Sequence, residues 1–299
     1  MTSPASGVPA VSWLYVPGDR PERFAKAVAS GADVVIIDLE DAVVPARKDE
    51  ARANAAAYLR ERASGAAGGA GAAGQAGSPG NVAVHVRVND LTTPRGRDDV
   101  AALAALPGLG GLRLPKVESA AVLDALGGCP APAYAVLESA AGILAAPAVA
   151  AHPRVAGVAL GEQDLSAELS VTDVAALNQL RLQVVLAAAA AGLPPVPMSV
   201  YPDVRDEAGL LASCVAGRAI GMFGRAAIHP RQIPVIRRAF TPTEEETARA
   251  AEIAEAAEQA EREGLGAVAL PDGRFVDAPI VARARRTLAL ARHLASPPA

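Results

Sequence analysis

The sequence predicts an α/β fold, a (β/α)8 TIM barrel with a C-terminal helical extension, on three observations. Short β-branched or aliphatic runs alternate with longer helical patterns, the signature of repeated βα units around a parallel sheet. The runs number eight, the count at which such a sheet with its crossovers closes into a barrel. The chain is 299 residues long and 51% hydrophobic, so it can bury a large core, and one barrel-sized domain fits that length better than two. With only 3% aromatic residues, that core is built mainly from Ala, Val, Leu and Ile.

The expected strands are residues 12–16, 33–38, 82–88, 111–115, 133–138, 155–160, 195–200 and 218–223. Helical patterns separate them, for example at 47–62, 174–191 and 203–216. Residues 64–80 are almost entirely Gly, Ala and Ser, too little side chain to offset the entropy of ordering, and read as a flexible insertion before the third strand. The barrel is expected to occupy 1–240 and the extension 241–299. The extension comprises a charged helix from 243 to about 263, a glycine-containing link, and a final basic helix over 278–293. The link, 264–277, reads as a lid able to cover the open end of a barrel.

Composition narrows the function classes. A net charge of -4, from 28 basic and 32 acidic residues spread along the chain, provides no broad basic surface for nucleic acid, and a polyanionic partner would have to meet a local basic pocket. Cys129 and Cys214 lie far apart without C-x-x-C or Cys/His spacing, so neither a disulfide framework nor a zinc site is indicated, and a reducing cytoplasm is the natural setting. Neither cysteine is assigned a role. Residues 1–10 show no basic region leading into an apolar run and read as a lead-in rather than a signal peptide. The Ala-rich run 184–191 is too short to cross a bilayer and is followed by Gly192, Pro194 and Pro195, so no membrane partner is expected.

In barrels of this class the chemistry sits at the carboxyl ends of the strands. There the third strand delivers Arg87, the fifth Glu138, and the segment after the sixth Asp164. Two neighbouring carboxylates repel unless a cation or a basic group lies between them. Magnesium takes one or two protein carboxylates and completes its octahedron with water and substrate oxygens, which suits this pair; two rim salt bridges are the other reading. Arg87 suits a bidentate grip on a substrate carboxylate, or alternatively serves as counter-ion to Glu138 or Asp38. Strand alternation puts Asp38 and Glu40 on one side, and with Asp41 they read as residues that support the site from behind. Arg20, Arg23 and Lys26 follow the first strand on a turn and helix start, able to hold phosphates or simply to cap a solvated helix. His229, before Pro230, lies where barrels often bind phosphate and is equally explained as a loop histidine. His85 reads as a satisfied core or helix-facing histidine.

Six segments in order, SWLYVPGDRPERF (12–24), DVVIIDLEDAV (33–43), VRVN (86–89), LPKVES (114–119), ESAAGI (138–143) and IHPRQI (228–233), resemble the citrate lyase beta-subunit and malyl-CoA lyase family, among the pyruvate- and phosphoenolpyruvate-handling barrels. The resemblance spans nearly the whole chain. It implies that Glu138 and Asp164 hold Mg2+, with Mn2+ as a substitute, and that Arg87 binds the carboxylate and carbonyl side of an oxo acid. It also implies that Tyr15, Arg20 and Lys26 line the CoA or substrate pocket, that Gln163 borders the substrate, and that Ile228 and His229 meet the thioester arm. Asp277 would be the acid/base that exchanges a proton with an acetyl methyl group. The implied activity is cleavage, or formation by Claisen condensation, of a 3-hydroxyacyl-CoA such as malyl-CoA or citramalyl-CoA, by a cytoplasmic homo-oligomer, a trimer. Thioester hydrolysis following condensation accompanies it in some relatives. Rival readings are a class II aldolase acting on free 4-hydroxy-2-oxo acids, a citrate lyase beta subunit serving a carrier-bound thioester, and a scaffold without activity. The chain departs from the family at PMSVY (197–201), where an Asp-Gly pair is common, at GEQD (161–164), and at Arg225, where Lys is frequent; Met198 and Ser199 are expected near the substrate.

Overall fold

The run VVIID at Val34–Asp38 is buried at every position, the pattern of a strand covered on both faces, and it pairs on each side with a parallel neighbour. In the computed structural model the described residues are 9–65, 82–263, 268–269, 273 and 275–295. The expected insertion beyond Gly65 and most of the expected lid lie outside them. Seven strands form one parallel sheet: β1 (Ser12–Pro17), β2 (Val34–Asp38), β3 (Ala83–Arg87), β4 (Gly111–Leu114), β5 (Ala133–Leu137), β6 (Val155–Leu160) and β7 (Arg225–Ala227), in the order β6-β5-β4-β3-β2-β1-β7.

Helices follow the strands: α1 (Phe24–Val28), α2 (Lys48–Ala63), α3 (Pro94–Leu103), a 3-10 helix at Ala120–Leu126 between β4 and β5, α4 (Ala140–Ala150), α5 (Glu162–Leu169), α6 (Val174–Ala190), α7 (Glu207–Ala219) and, after β7, α8 (Gln232–Phe240). Their starts follow local chemistry. Thr93, Ser139, Asp173 and Asp206 each accept a backbone N–H of the first turn, satisfying a donor that the helix itself leaves open. Side chains from all seven strands line one cavity. Seven strands laid flat would span about 30 Å, so the sheet curls around that space.

Two expected strands differ from the outcome. Residues 195–200 join β7 through a single parallel bridge between Met198 and Arg225, with the Met198 N–H donating to Gly224 O at 2.9 Å and the Ala226 N–H to Met198 O at 3.0 Å. The strand expected at 218–223 is not one. Helix α7 runs to Ala219, Gly221 and Gly224 turn the chain at φ 92° and 76°, and the strand begins at Arg225. The reason is chemical: a buried charged residue opens the strand, its Nε donating to Ser199 O at 2.9 Å, so the apolar pattern ends before the strand starts. Among the described residues the ladder therefore counts seven strands.

A second compact unit begins at Thr241. Its helix α9 (Glu244–Arg262) opens with a capping box: Thr243 Oγ1 accepts from the Glu246 N–H at 3.1 Å, and Glu246 Oε2 accepts from the Thr243 N–H at 2.9 Å. It packs against α10 (Ala278–Ala295), and Val268–Ala269 pairs antiparallel with Phe275–Val276. Both cysteines are buried free thiols, Cys214 on α7 within the core. No helix among the described residues is long and apolar enough to cross a membrane.

Candidate active site

The strands of the curled sheet end around a cavity of about 360 Å³. Tyr15 reaches it from β1, Asp38 from the end of β2 with Asp41 in the following turn, and Arg87 from the last position of β3. Glu138 follows β5 directly, Gln163 and Asp164 sit in the first turn of α5, and Ile228 follows β7. The parallel register aligns these ends, with Pro17 opposite Asp38 and Asp38 opposite Arg87. Three expected residues of the same unit do not join them. Arg20 and Lys26 are exposed on the turn and helix after β1, and His229 is exposed on its loop, all outside the cavity lining. Asp277 belongs to the C-terminal unit, where its Oδ1 accepts from the Ile280 N–H at 3.3 Å at the start of α10.

Arg87 is the hub of the acidic wall. Its Nε and Nη2 donate to the two oxygens of Asp38 at 2.7 and 2.6 Å, and its Nη1 lies 3.0 Å from Asp41 and 2.8 Å from Glu40. Burial works against its charge, yet Asp38, bonded at two points, holds its pKa well above the usual arginine value. The guanidinium edge that would fork a ligand carboxylate is the edge that grips Asp38. Tyr15 stacks over the same group, its ring centroid 5.1 Å from the guanidinium carbon, and burial raises its hydroxyl pKa so that it stays a neutral donor.

Glu138 is buried beside this wall, and its pKa is pushed up to about 7 by burial first, then by the charges of Glu40 and Asp164. Two features hold it in place. The Lys116 N–H donates to Glu138 Oε1 at 2.8 Å from a backbone at φ 55°, left-handed and strained for a residue other than glycine. Lys116 also sets its Nζ 3.0 Å from Glu40, and that bond raises the pKa of the amine. Gly161 provides the room: a Cβ there would stand 2.5 Å from Glu138 Cβ and 2.6 Å from its Oε2. Among the described residues no group of three or more His, Cys, Asp or Glu side chains is arranged to hold a metal alone. The arrangement offers two carboxylates facing one cavity, with the remaining coordination left to water or ligand oxygens.

Several residues that shape the site carried no assignment from sequence. Lys48 Nζ binds Leu39 O, Glu40 O and Asn89 Oδ1 at 3.0, 2.9 and 2.6 Å and so fixes the turn that presents Glu40 and Asp41. Arg181 of α6 grips buried Glu162 at 2.9 and 2.6 Å, which anchors the first turn of α5 and with it Asp164. Arg113 lines the cavity from β4. The sequence signal for Lys116 was its place in LPKVES, and for Arg113 a charge alternating with apolar residues in GLRL. His85 is the buried core histidine expected, but not a satisfied one: it shares the inward face of β3 with Arg87, stacks 4.8 Å from Tyr134, and has no hydrogen-bond partner at Nδ1. Burial, then Arg113, pulls its pKa well down and leaves the ring neutral. Met198 and Ser199 line the cavity, and Arg225 underpins them through Ser199 O.

Residues 11–230 match the family described as HpcH/HpaI aldolase/citrate lyase. A protein of Cereibacter sphaeroides named (3S)-malyl-CoA thioesterase is 38% identical over 292 residues, 95% of each chain. The citrate lyase subunit beta of Leuconostoc mesenteroides subsp. cremoris is 32% identical over 295 residues, 93% of this chain and 92% of that one. Among solved structures, CitE from Mycobacterium tuberculosis in complex with magnesium, acetoacetate and coenzyme A superimposes with a TM-score of 0.75 at 32% identity, covering 96% of this chain and 99% of the other.

Proposed function

Because the chain belongs to the HpcH/HpaI aldolase/citrate lyase family, we propose that it is a magnesium-dependent carbon–carbon lyase acting on a 3-hydroxyacyl-CoA thioester, built on a sheet that completes a (β/α)8 barrel. The observation that carries the reading is that Glu138 and Asp164 line one cavity together with Arg87, with the Glu138 pKa pushed up to about 7 by burial first and then by the neighbouring carboxylates Glu40 and Asp164. Such a pair is at its most stable with a hard divalent cation between its members. Magnesium, when bound, supplies a Lewis acid and a template for an oxo acid. Relatives with bound magnesium and coenzyme A support both assignments.

The chain's own residues take the following parts. Glu138 and Asp164 hold the cation. Arg87, braced by Asp38, Glu40 and Asp41, orients the carboxylate and hydroxyl of the substrate with its remaining donor capacity. Tyr15 and Gln163 border the reacting acid, while Arg20, Lys26, Ile228 and His229 are assigned to the coenzyme A arm. As the substrate hydroxyl gives up its proton to water and becomes the carbonyl of the oxo acid, the bond from its carbon to the α-carbon of the thioester breaks and the electron pair passes to the acetyl-CoA enolate. Asp277 returns a proton to that carbon, or removes one in the condensing direction. The Cereibacter likeness supports a second reading in which thioester hydrolysis follows condensation or takes the place of cleavage.

Mass-resolved products from malyl-CoA, citramalyl-CoA and free citrate, with Mg2+ and with chelator, test both. Chelator-sensitive acetyl-CoA plus an oxo acid is the expected outcome, whereas free coenzyme A plus malate establishes the hydrolase. Cleavage of a free 4-hydroxy-2-oxo acid with every thioester left intact would overturn the thioester assignment in favour of an aldolase.

A further inference from the structure

Opposite Arg87 in register on the neighbouring strand, and more fully buried, the part of the cavity here called its floor carries a charge that the reaction above does not use. Arg113, at the middle of the inward face of β4, is 4% exposed and lines the cavity. Its guanidinium carbon lies 4.5 Å from the Tyr134 ring centroid and 5.9 Å from that of Trp13, and its Nε has no hydrogen-bond partner. Among the described residues no carboxylate pairs with it. Tyr134 lies across the floor because its neighbours are glycines: a Cβ on Gly111 or Gly157 would stand 2.7 or 2.9 Å from its ring. His85, neutral and stacked on Tyr134, adds no counter-charge.

The two arginines of the cavity therefore differ in kind. Arg87 is neutralised by three carboxylates that take most of its donors, whereas Arg113 rests on aromatic faces alone, which stabilise a buried cation far less than an anion does. Between rim and floor the walls are apolar, formed by Ile36, Val136, Ala159 and Ala226. A ligand that matches this layout has anionic ends joined by a short carbon chain. A planar guanidinium with unused donors matches a carboxylate in particular.

We propose that Arg113 forms a second anion subsite on the cavity floor, which takes the distal carboxylate of a dicarboxylic ligand whose first carboxylate lies at the rim. This deepens the substrate reading above by naming a dicarboxylic acid portion, and its test needs no turnover, so a failed lyase assay leaves the test standing.

Trp13 is the only tryptophan in the chain and stands beside Arg113, so its emission reports on the floor. The experiment titrates the full chain, with saturating Mg2+, with succinate and with butyrate, the same carbon skeleton length with one carboxylate fewer. Binding is followed by calorimetry and by Trp13 fluorescence. Wild type is expected to bind succinate about tenfold or more tightly than butyrate, with an emission change for succinate alone. Arg113→Met is expected to lose that preference and Arg113→Lys to keep part of it. Equal affinities in wild type, or a preference retained by Arg113→Met, would overturn the proposal. Should Arg113→Met fail to fold, wild-type emission decides: succinate bound by calorimetry with Trp13 unchanged places it at the rim and sinks the floor subsite.

Discussion

Glu138 shows how one side chain couples the site to stability. Its folded pKa of about 7 lies above the ordinary 4.5, so the metal-free fold binds a proton there that the unfolded chain releases at lower pH. The contribution of this group is fully present below about pH 4.5 and is lost as pH rises towards 7. A bound cation needs the ionised form, so Mg2+ affinity is expected to fall about tenfold for each pH unit below 7 and to level off above it. Calorimetric titrations at pH 6, 7 and 8 check this; a flat profile would mean that Glu138 does not ligate. Glu138→Gln keeps the shape while removing the repulsion. It is expected to weaken Mg2+ binding by about 100-fold or more and to leave the metal-free protein more stable than wild type at pH 8.

At the scale of elements, the site depends on two turns that hold carboxylates from outside. In Gly161→Ala the new methyl would collide with Glu138, so the variant is expected to fold, by circular dichroism, yet to bind Mg2+ at least tenfold more weakly. Arg181 and Glu162 are both buried and tie α6 to the first turn of α5. Arg181→Met strands a buried carboxylate and is expected to cost about 3 kcal/mol in urea unfolding, since breaking one half of such a pair leaves its partner uncompensated. A change below 1 kcal/mol would show that water reaches Glu162. Strands β1 to β6 were legible because β-branched runs such as VVIID are bounded by turn residues. β7 was not, because it is three residues long and begins with a buried arginine whose partner, the Ser199 carbonyl, is 26 residues away.

For the whole molecule, we propose the homotrimer that the sequence resemblance implies: light scattering is then expected to return three times the chain mass, and a monomer would remove that reading. The unit that begins at Thr241 carries Asp277, whose carboxylate meets a backbone N–H at the start of α10. Asp277→Asn keeps a side-chain oxygen for that contact, so the fold is expected to persist. Thioester cleavage and solvent exchange of the acetyl-CoA methyl protons are both expected to drop about 100-fold or more. Undiminished exchange would relieve Asp277 of the acid/base role.

The sequence by itself determined the α/β class, the first six strands and the placing of Arg87, Glu138 and Asp164 around the ends of those strands, because strand periodicity and the polar ends of apolar runs are local properties. Only the tertiary structure decided what those residues do to one another. The lock of Asp38, Glu40 and Asp41 on Arg87, the left-handed Lys116 that aims an N–H at Glu138, and the unpaired Arg113 over Tyr134 and Trp13 join strands and turns far apart in the chain. Partnership and its absence are set by the curl of the sheet, and no window of sequence contains it.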